Sequence, residues 1–338
     1  MAYSVGRLFS PQCYLSHESH PMKTSPLALA LCLALGFVGS VAPRAGLAGE
    51  AGYQFRTVEA ADGVPLNVVT AGDPTHPAIL LVHGIGQSYL AFENQLGSSL
   101  QQQYFLVAFD LRGHGSSGKP WSPKAYSDRA TWGHDVDGVI RALGLRRPVL
   151  VGWSYGTLVV LDYVRLHGTR DIAGIVMTGA YGGLTKPNVR AAPLPPEFVR
   201  LREDLAGLDL DRKWAASRAM TKYLTAHTMT EAWIERATAL GLLLPQAARV
   251  GMLSHPSDNT DLIAGLQTLP MLFLMGGKDF GAPEAQGREL VASLPRARLL
   301  MHPDDGHSPF IESPARFNRE LSEFAAPLLS VQPSVAEK

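Results

Sequence analysis

Short apolar runs alternate with amphipathic segments along most of the chain. A turn at Asp62 and Gly63 separates two runs that predict an antiparallel opening hairpin. The later runs are almost continuously apolar, as strands covered on both faces must be. The predicted strands cover residues 53–59, 64–71, 78–82, 104–109, 149–151, 172–177, 271–275 and 297–301.

The segments between most of these strands carry apolar residues at helical spacing. Residues 128–143, for example, place Trp132, Val136 and Ile140 on one face, and Gly144 follows as a helix terminator. Strands that alternate with helices predict an α/β fold, with a mostly parallel central sheet and helices on both faces.

This alternation breaks between residues 181 and 263, where no strand pattern occurs. A proline-rich stretch begins the segment, and residues 197–205, 211–224 and 230–243 then predict helices. We expect a helical cap over a site at the carboxyl edge of the sheet, although a helical lobe with packing duties alone would give the same pattern. The predicted boundaries are 1–48 for a leader, 49–180 and 264–330 for the core, 181–263 for the cap and 331–338 for a disordered tail.

The first part of the chain has the pattern of a processed leader. Lys23 precedes an apolar run at 27–38, and the small residues Gly46 and Ala48 follow on either side of Leu47. This order is typical of a secretory signal peptide that starts near Met22, and the run is too short for a comfortable membrane span. The sequence therefore predicts an exported protein, periplasmic or secreted, whose mature chain begins near Gly49 and has no stable membrane span. An uncleaved anchor is the alternative interpretation.

Composition removes several classes of function. The two cysteines, Cys13 and Cys32, lie in the predicted leader, so the mature chain has neither a cysteine nucleophile nor a disulfide. Thirty basic and thirty acidic residues give no net charge, which argues against nucleic acid as a partner. The sequence has no phosphate-binding loop and no clustered metal ligands, so we expect neither a cofactor nor a metal. The oligomeric state is left open.

The strongest chemical signal is the pentapeptide GWSYG at residues 152–156, between a predicted strand and an apolar helix. A G-x-S-x-G segment in this context forces its serine into a sharp, strained turn at the top of the sheet. The glycines on either side let the strand and the helix approach closely. Ser154 is therefore the candidate nucleophile.

A second signal is HGIG at residues 83–86, directly after the predicted strand 78–82. Backbone N–H groups in such a turn can stabilise the negative charge that develops on an attacked carbonyl oxygen. The expected donors are the N–H groups of Ile85 and Tyr155, of which the second begins the helix after the serine. The motif alone is weak evidence for an oxyanion-stabilising turn. The assignment depends on its position two strands before the turn that contains Ser154.

A serine hydroxyl needs a base to take its proton and a carboxylate to hold that base in the right tautomer. His307 follows the last predicted strand and Asp279 follows the strand before it, so both belong to the carboxyl edge that carries Ser154. Asp304 and Asp305 lie just before the histidine and are alternative acids. Geometry favours Asp279, because residues on one short loop seldom face each other.

Together these motifs resemble the landmarks of the α/β-hydrolase superfamily, in order, from about Gly52 to Leu329. The landmarks are HGIG, DLRGHGS at 110–116, GWSYG, GGKD and the terminal GHSPFIESPARFN. The roles that the resemblance implies are nucleophile for Ser154, acid for Asp279, base for His307 and oxyanion donor for Ile85 and Tyr155. It also implies a structural role for the turn that contains His114.

Several reactions share these residues. Epoxide hydrolases and haloalkane dehalogenases resemble the chain but need aspartate at the position of Ser154, which argues against both. We favour hydrolysis of a small-molecule carboxylic ester through an acyl-enzyme. A cofactor-free perhydrolase or haloperoxidase, a carbon–carbon bond hydrolase and a peptidase stay open, and a non-catalytic binding protein is the alternative from another class. Trp214, Tyr223, Trp233 and the leucines around Leu242 are expected to line the entrance.

Overall fold

The fold is a central sheet with helices on both faces. A computed structural model describes residues 52–185 and 194–330. The strands are β1 (Gln54–Glu59), β2 (Pro65–Ala71), β3 (Ala78–Val82), β4 (Phe105–Phe109), β5 (Val149–Trp153), β6 (Gly174–Thr178), β7 (Met271–Gly276) and β8 (Ala297–His302). Each predicted strand is present and differs by at most two residues at either end. The predicted leader at 1–48 and tail at 331–338 lie outside the described residues.

The strands are arranged in the order β1-β2-β4-β3-β5-β6-β7-β8. β1 and β2 form the predicted antiparallel hairpin, and β2 also runs antiparallel to β4. The other neighbouring strands of this sheet are parallel to each other. The prediction of a mostly parallel α/β sheet is therefore confirmed.

Helices connect the strands and cover the sheet. They are α1 (Glu93–Leu96), α2 (Lys124–Ser127), α3 (Arg129–Ala142), α4 (Tyr155–His167), α5 (Pro196–Ala206), α6 (Leu210–Met220), α7 (Glu231–Leu243), α8 (Gln246–Ser254), α9 (Glu284–Ser293), α10 (Pro309–Glu312) and α11 (Pro314–Leu329). Short 3₁₀ turns occur at Tyr89–Phe92, Ser99–Gln102, Thr221–Tyr223 and Thr260–Leu266. Across the described residues, no helix combines the length and the apolar character that crossing a membrane would need.

Side chains of β3 alternate between the two faces of the sheet. Leu80 and Val82 belong to one apolar cluster, together with Trp132 of α3. Ile79 and Leu81 belong to the other, which α11 helps to form. Because both faces are covered, every residue of β3 is buried, which explains its continuous apolar run.

Helices α5 to α8 lie between β6 and β7, where the sequence predicts a helical cap. Three of them correspond to the helices predicted at 197–205, 211–224 and 230–243, although the second ends earlier, at Met220, before a 3₁₀ turn. The sequence analysis missed α8. Its 9 residues after Pro245 make little more than two turns, too short for a helical period to stand out.

Candidate active site

Ser154 lies in a sharp turn between β5 and α4. Its backbone has φ 53° and ψ −118°, a conformation that residues with a side chain rarely adopt. The Ser154 N–H donates to Thr178 O at 2.9 Å. Ser154 O accepts the Thr157 N–H at 3.1 Å and the Thr157 hydroxyl at 2.6 Å. A strained serine held in this way at the end of a buried strand is typical of a nucleophile elbow.

Close packing requires the glycines on either side of this turn. A Cβ added at Gly156 would lie 2.2 Å from Val82 O, and one at Gly152 would lie 2.8 Å from Thr157 Cα. Both distances are shorter than any ordinary contact between these atoms. The G-x-S-x-G motif therefore follows from the close approach of α4 to β3 and β5.

Asp279 and His307 form a hydrogen-bonded pair at the carboxyl edge of the sheet. Asp279 follows β7 and His307 follows β8, so two neighbouring parallel strands carry them. Asp279 Oδ2 lies 2.8 Å from His307 Nδ1, and Asp279 Oδ1 accepts the Gly281 N–H at 2.8 Å. The side chain of Asp279 is 2% exposed and that of His307 is 18% exposed. With Nδ1 paired to the carboxylate, Nε2 is the ring nitrogen left to accept a proton.

The surroundings of His307 change its proton affinity. Burial alone lowers the pKa of the imidazole, but the charge and hydrogen bond of Asp279 and the charge of Glu312 raise that pKa overall, above the usual 6.5. Trp153 Nε1 donates to His307 O at 3.0 Å. This bond fixes the backbone of the loop that follows β8 and contains His307, called the histidine loop below. An imidazolium formed here is therefore stabilised and held in place.

The alternative acids are engaged elsewhere or face solvent. Asp305 Oδ2 lies 2.7 Å from His302 Nδ1, a different ring at the end of β8. The side chain of Asp304 is 86% exposed. The geometry therefore pairs His307 with Asp279, the acid that the sequence analysis favours.

The N–H groups of Ile85 and Tyr155 have no hydrogen-bond acceptor among the described residues. Tyr155 begins α4, so its N–H lies at the positive end of the helix and cannot bond within it. Ile85 follows β3, the strand next to β5. Both residues line the cavity that Ser154 lines, so the structure brings the expected oxyanion donors and the serine to one cavity.

Two buried histidines fix the loop that contains Ile85. His114 Nε2 accepts the Gly86 N–H at 2.9 Å, and His83 Nε2 accepts the Leu111 N–H at 3.0 Å. A ring that accepts at Nε2 must be neutral and carry its proton on Nδ1. In both residues Nδ1 faces a backbone carbonyl oxygen, at 2.7 Å in His83 and at 3.0 Å in His114. Burial lowers the pKa of both rings and keeps them neutral.

The neighbouring residues of the turn around His114 also make structural contacts. Asp110 Oδ1 accepts the Tyr89 N–H at 2.8 Å. The buried guanidinium of Arg112 donates to Asp135 at 2.6 Å and to Asp62 at 2.8 Å. These contacts support the structural role that the resemblance implies for this turn.

A cavity of about 700 Å³ lies between the carboxyl edge of the sheet and the helices α5 to α8. Ser154 and His307 line it together with mainly apolar residues of the cap. Three rings in its lining, those of Phe198, Tyr223 and Phe280, contact one another edge to face, with centroids 5.1 to 5.6 Å apart. This apolar wall is suited to a hydrophobic part of a ligand.

The expected entrance residues are only partly correct. Tyr223 lines the cavity, but among the described residues that do so neither Trp214, Trp233 nor the leucines of α7 are found. Trp214 is 50% exposed. α7 instead faces the cavity with Ala237 and Gly241, which are four residues apart and therefore on one face.

Three titratable side chains outside the pair of Asp279 and His307 lie close to one another. His227, Asp305 and Glu312 place ligand atoms within 4.8 Å of one another. Hydrogen bonds account for the convergence, because Glu312 accepts the N–H groups of Ala226 at 2.6 Å, His227 at 2.9 Å and Gly306 at 2.8 Å. The cluster joins a cap loop to the histidine loop, and its carboxylate oxygens are already engaged.

The model of the alpha/beta hydrolase family matches residues 79–320, more than two thirds of the chain. The chain belongs to this family. The AB hydrolase superfamily protein YisY of Bacillus subtilis is 25% identical over 254 residues, 73% of this chain and 91% of YisY. Epoxide hydrolase A of Mycobacterium tuberculosis is 32% identical over 136 residues, which are 40% of this chain and 39% of that protein.

Solved structures similar to this α/β-hydrolase include esterases. A candidate aryl esterase from Burkholderia cenocepacia has 33% sequence identity and a TM-score of 0.74, over 82% of this chain and 100% of that chain. Esterase RhEst1 from Rhodococcus sp. ECU1013 has 27% identity and a TM-score of 0.73, over 81% of this chain and 99% of that chain. The similarity therefore extends over nearly the whole length of both esterases.

Other residues of the cavity were missed from the sequence. Phe280 could have been found, because it directly follows Asp279. Phe198 lies on α5 and Arg249 lies on α8, and both line the cavity. A helical pattern does not tell which face of a cap helix meets the sheet, so these two carried no signal of their own.

Proposed function

We propose that this α/β-hydrolase cleaves carboxylic esters through an acyl-enzyme on Ser154. The observation that carries the proposal is the hydrogen-bonded pair of Asp279 and His307 in the cavity that the strained serine lines. The similarity to esterases at 33% and 27% identity supports the substrate class. Serine at the elbow argues against epoxide opening, for which enzymes that resemble this chain need aspartate.

The reaction begins when Ser154 Oγ attacks the ester carbonyl carbon and His307 Nε2 takes the hydroxyl proton, with Asp279 stabilising the imidazolium. The N–H groups of Ile85 and Tyr155 stabilise the oxyanion. When the tetrahedral intermediate collapses, the ester C–O bond breaks and the imidazolium returns its proton to the leaving alcohol. Water then attacks the acyl-enzyme by the same route, which releases the carboxylic acid and restores the serine.

The test is hydrolysis of nitrophenyl esters of increasing acyl length by the wild type and by Ser154→Ala. We expect kcat to fall by on the order of 10⁴ to 10⁶ when the nucleophile is removed. Ser257→Ala is the matched control, because Ser257 is an exposed serine that lines the same cavity. It should retain wild-type activity.

Labelling by a fluorophosphonate separates an enzyme from a binding protein of the same fold. Wild type and Ser257→Ala should each take up one equivalent, on Ser154, as read by peptide mass. A non-catalytic cavity would not activate the hydroxyl, so the absence of labelling together with unchanged background hydrolysis would contradict the proposal.

We also propose that the protein is exported and that its mature chain begins near Gly49, on the basis of the charged, apolar and small-residue order between Met22 and Ala48. Intact-mass measurement on protein expressed with its own leader tests this. A full-length product in the cytosol would contradict it.

A further inference from the structure

Arg249 lies on α8 and lines the cavity that contains Ser154. It is 7% exposed. Its Nη2 donates to Gly241 O at 3.0 Å, and its buried Nε has no hydrogen-bond partner in the part of the chain that the structure describes. Within residues 52–185 and 194–330, no carboxylate oxygen lies within 4.0 Å of this guanidinium.

Burying a guanidinium in this way is unfavourable unless an anion compensates its charge. Arg112 shows the compensated arrangement in the same molecule, since it is buried and bonded to both Asp62 and Asp135. The surroundings of Arg249 disfavour its charged form. Burial and the positive charge of Arg202 lower the pKa of its guanidinium to about 10. The guanidinium is still charged at neutral pH, and no carboxylate of the described residues pairs with it.

The position of this charge connects it to the reaction site. A Cβ added at Gly86 would lie 4.0 Å from Arg249 Nη2, and Gly86 directly follows Ile85, the expected oxyanion donor. Two acidic residues are found among the described residues that line the cavity. Asp279 is paired with the histidine and Asp258 is exposed, and neither carboxylate lies within 4.0 Å of the Arg249 guanidinium. An anionic group that enters the cavity therefore meets this cation close to the loop that contains Ile85.

We propose that Arg249 binds a carboxylate of the substrate, so that the preferred substrates are esters that also carry a free carboxylate, such as half-esters of dicarboxylic acids. The inference rests on the proposed esterase function and adds its substrate class. A guanidinium donates charge-assisted hydrogen bonds to the oxygens of a carboxylate, and such pairs are strong. The apolar wall then contacts the spacer between the two carbonyl carbons.

The first measurement compares two esters on the wild type: the nitrophenyl half-ester of glutaric acid and nitrophenyl pentanoate, its neutral counterpart. A charge-assisted hydrogen bond is worth about 1.5 to 3 kcal/mol, so kcat/KM should favour the anionic ester by roughly ten- to a hundredfold. Arg249→Met should abolish this preference, read as the ratio of the two kcat/KM values within the variant, so that a general loss of activity on both esters cancels. Arg200→Met, which changes an exposed arginine of α5 outside the cavity, should keep the preference.

Binding is measured separately, so that turnover is not needed. Calorimetry on Ser154→Ala should show glutarate binding more weakly by the same factor once Arg249→Met is added, while dimethyl glutarate is unaffected. Arg249→Lys keeps a charge without the planar fork and should retain part of the affinity. Thermal unfolding of each variant shows that it is folded.

The outcomes separate the two proposals. If neither ester is hydrolysed but glutarate binds through Arg249, the esterase function is wrong and the carboxylate site stands. If the neutral ester is hydrolysed and the wild type shows no preference for the anionic one, the inference about Arg249 is wrong, whether or not Arg249→Met folds.

Discussion

Replacing Asp279 by asparagine removes one charge and reverses the hydrogen-bond roles at His307. Asp279 Oδ1 accepts the Gly281 N–H at 2.8 Å, so the amide oxygen of an asparagine is held at that position. Its NH₂ group then faces His307 Nδ1, which must become an acceptor. The ring is forced to carry its proton on Nε2 and can no longer take the proton of Ser154.

The size of the effect follows from this wrong tautomer. A triad with asparagine in place of its acid loses about 10⁴ in kcat, which corresponds to about 5.4 kcal/mol in the activation free energy. We expect a loss of this order for Asp279→Asn, measured as kcat on a nitrophenyl ester at pH 8. The variant should fold, because asparagine has the shape of the aspartate it replaces.

The controls are the two aspartates on the histidine loop. Asp304→Asn changes an exposed side chain and should leave kcat within about twofold. Asp305→Asn removes a buried partner of His302, so it should lower the melting temperature and leave most of kcat. If Asp279→Asn keeps near-full activity while a folded Asp305→Asn loses it, the pairing with His307 does not serve catalysis and the reasoning is refuted.

Three further changes test other parts of the structure. Because His307 acts as a base only when neutral and its pKa is raised, kcat/KM should fall with decreasing pH through a midpoint above 6.5, and a flat profile would contradict a histidine base. Gly156→Ala places a Cβ 2.2 Å from a backbone oxygen and should destabilise the fold by about 3 kcal/mol or more in denaturant unfolding. Gly138→Ala, in open space within α3, should instead stabilise it by about 1 kcal/mol. Tyr223→Ala should change the ranking of acyl lengths in the nitrophenyl series, whereas Trp214→Ala, outside the cavity, should not; equal effects would refute the cavity assignment.

The sheet could be predicted from the sequence because the pattern of each strand depends only on residues that are close together in the chain. A strand buried on both faces appears as an unbroken apolar run, so β3 is found to the residue and β4 to within one. The turn at Ser154 also has a short sequence pattern, because steric contact at Gly152 and Gly156 limits both positions to glycine. The pairing of Asp279 with His307 follows from two strand ends at one edge of the sheet.

The cap could not be predicted to the same depth. Its helices are short, and their roles depend on which face meets the sheet, a property of the whole fold. Trp214 and Tyr223 look alike in the sequence, yet one is half exposed and the other lines the cavity. Arg249 gives no signal either, because an arginine in a helix is normally solvated, and its burial without a carboxylate partner among the described residues appears only in three dimensions.

The loop that contains Ile85 and the proposed base His307 are expected to respond to pH in different ranges, and this difference makes the pH profile interpretable. His114 holds the Gly86 N–H only while its ring is neutral, so protonation would release that N–H. Burial lowers the pKa of His114 far below that of a free histidine, and the charges of His83 and Arg249 lower it further. The pKa of His307 is shifted in the opposite direction, upward. As pH falls, the base is therefore protonated before the loop loses its anchor, and the upper transition in kcat/KM is assigned to His307 and not to His114.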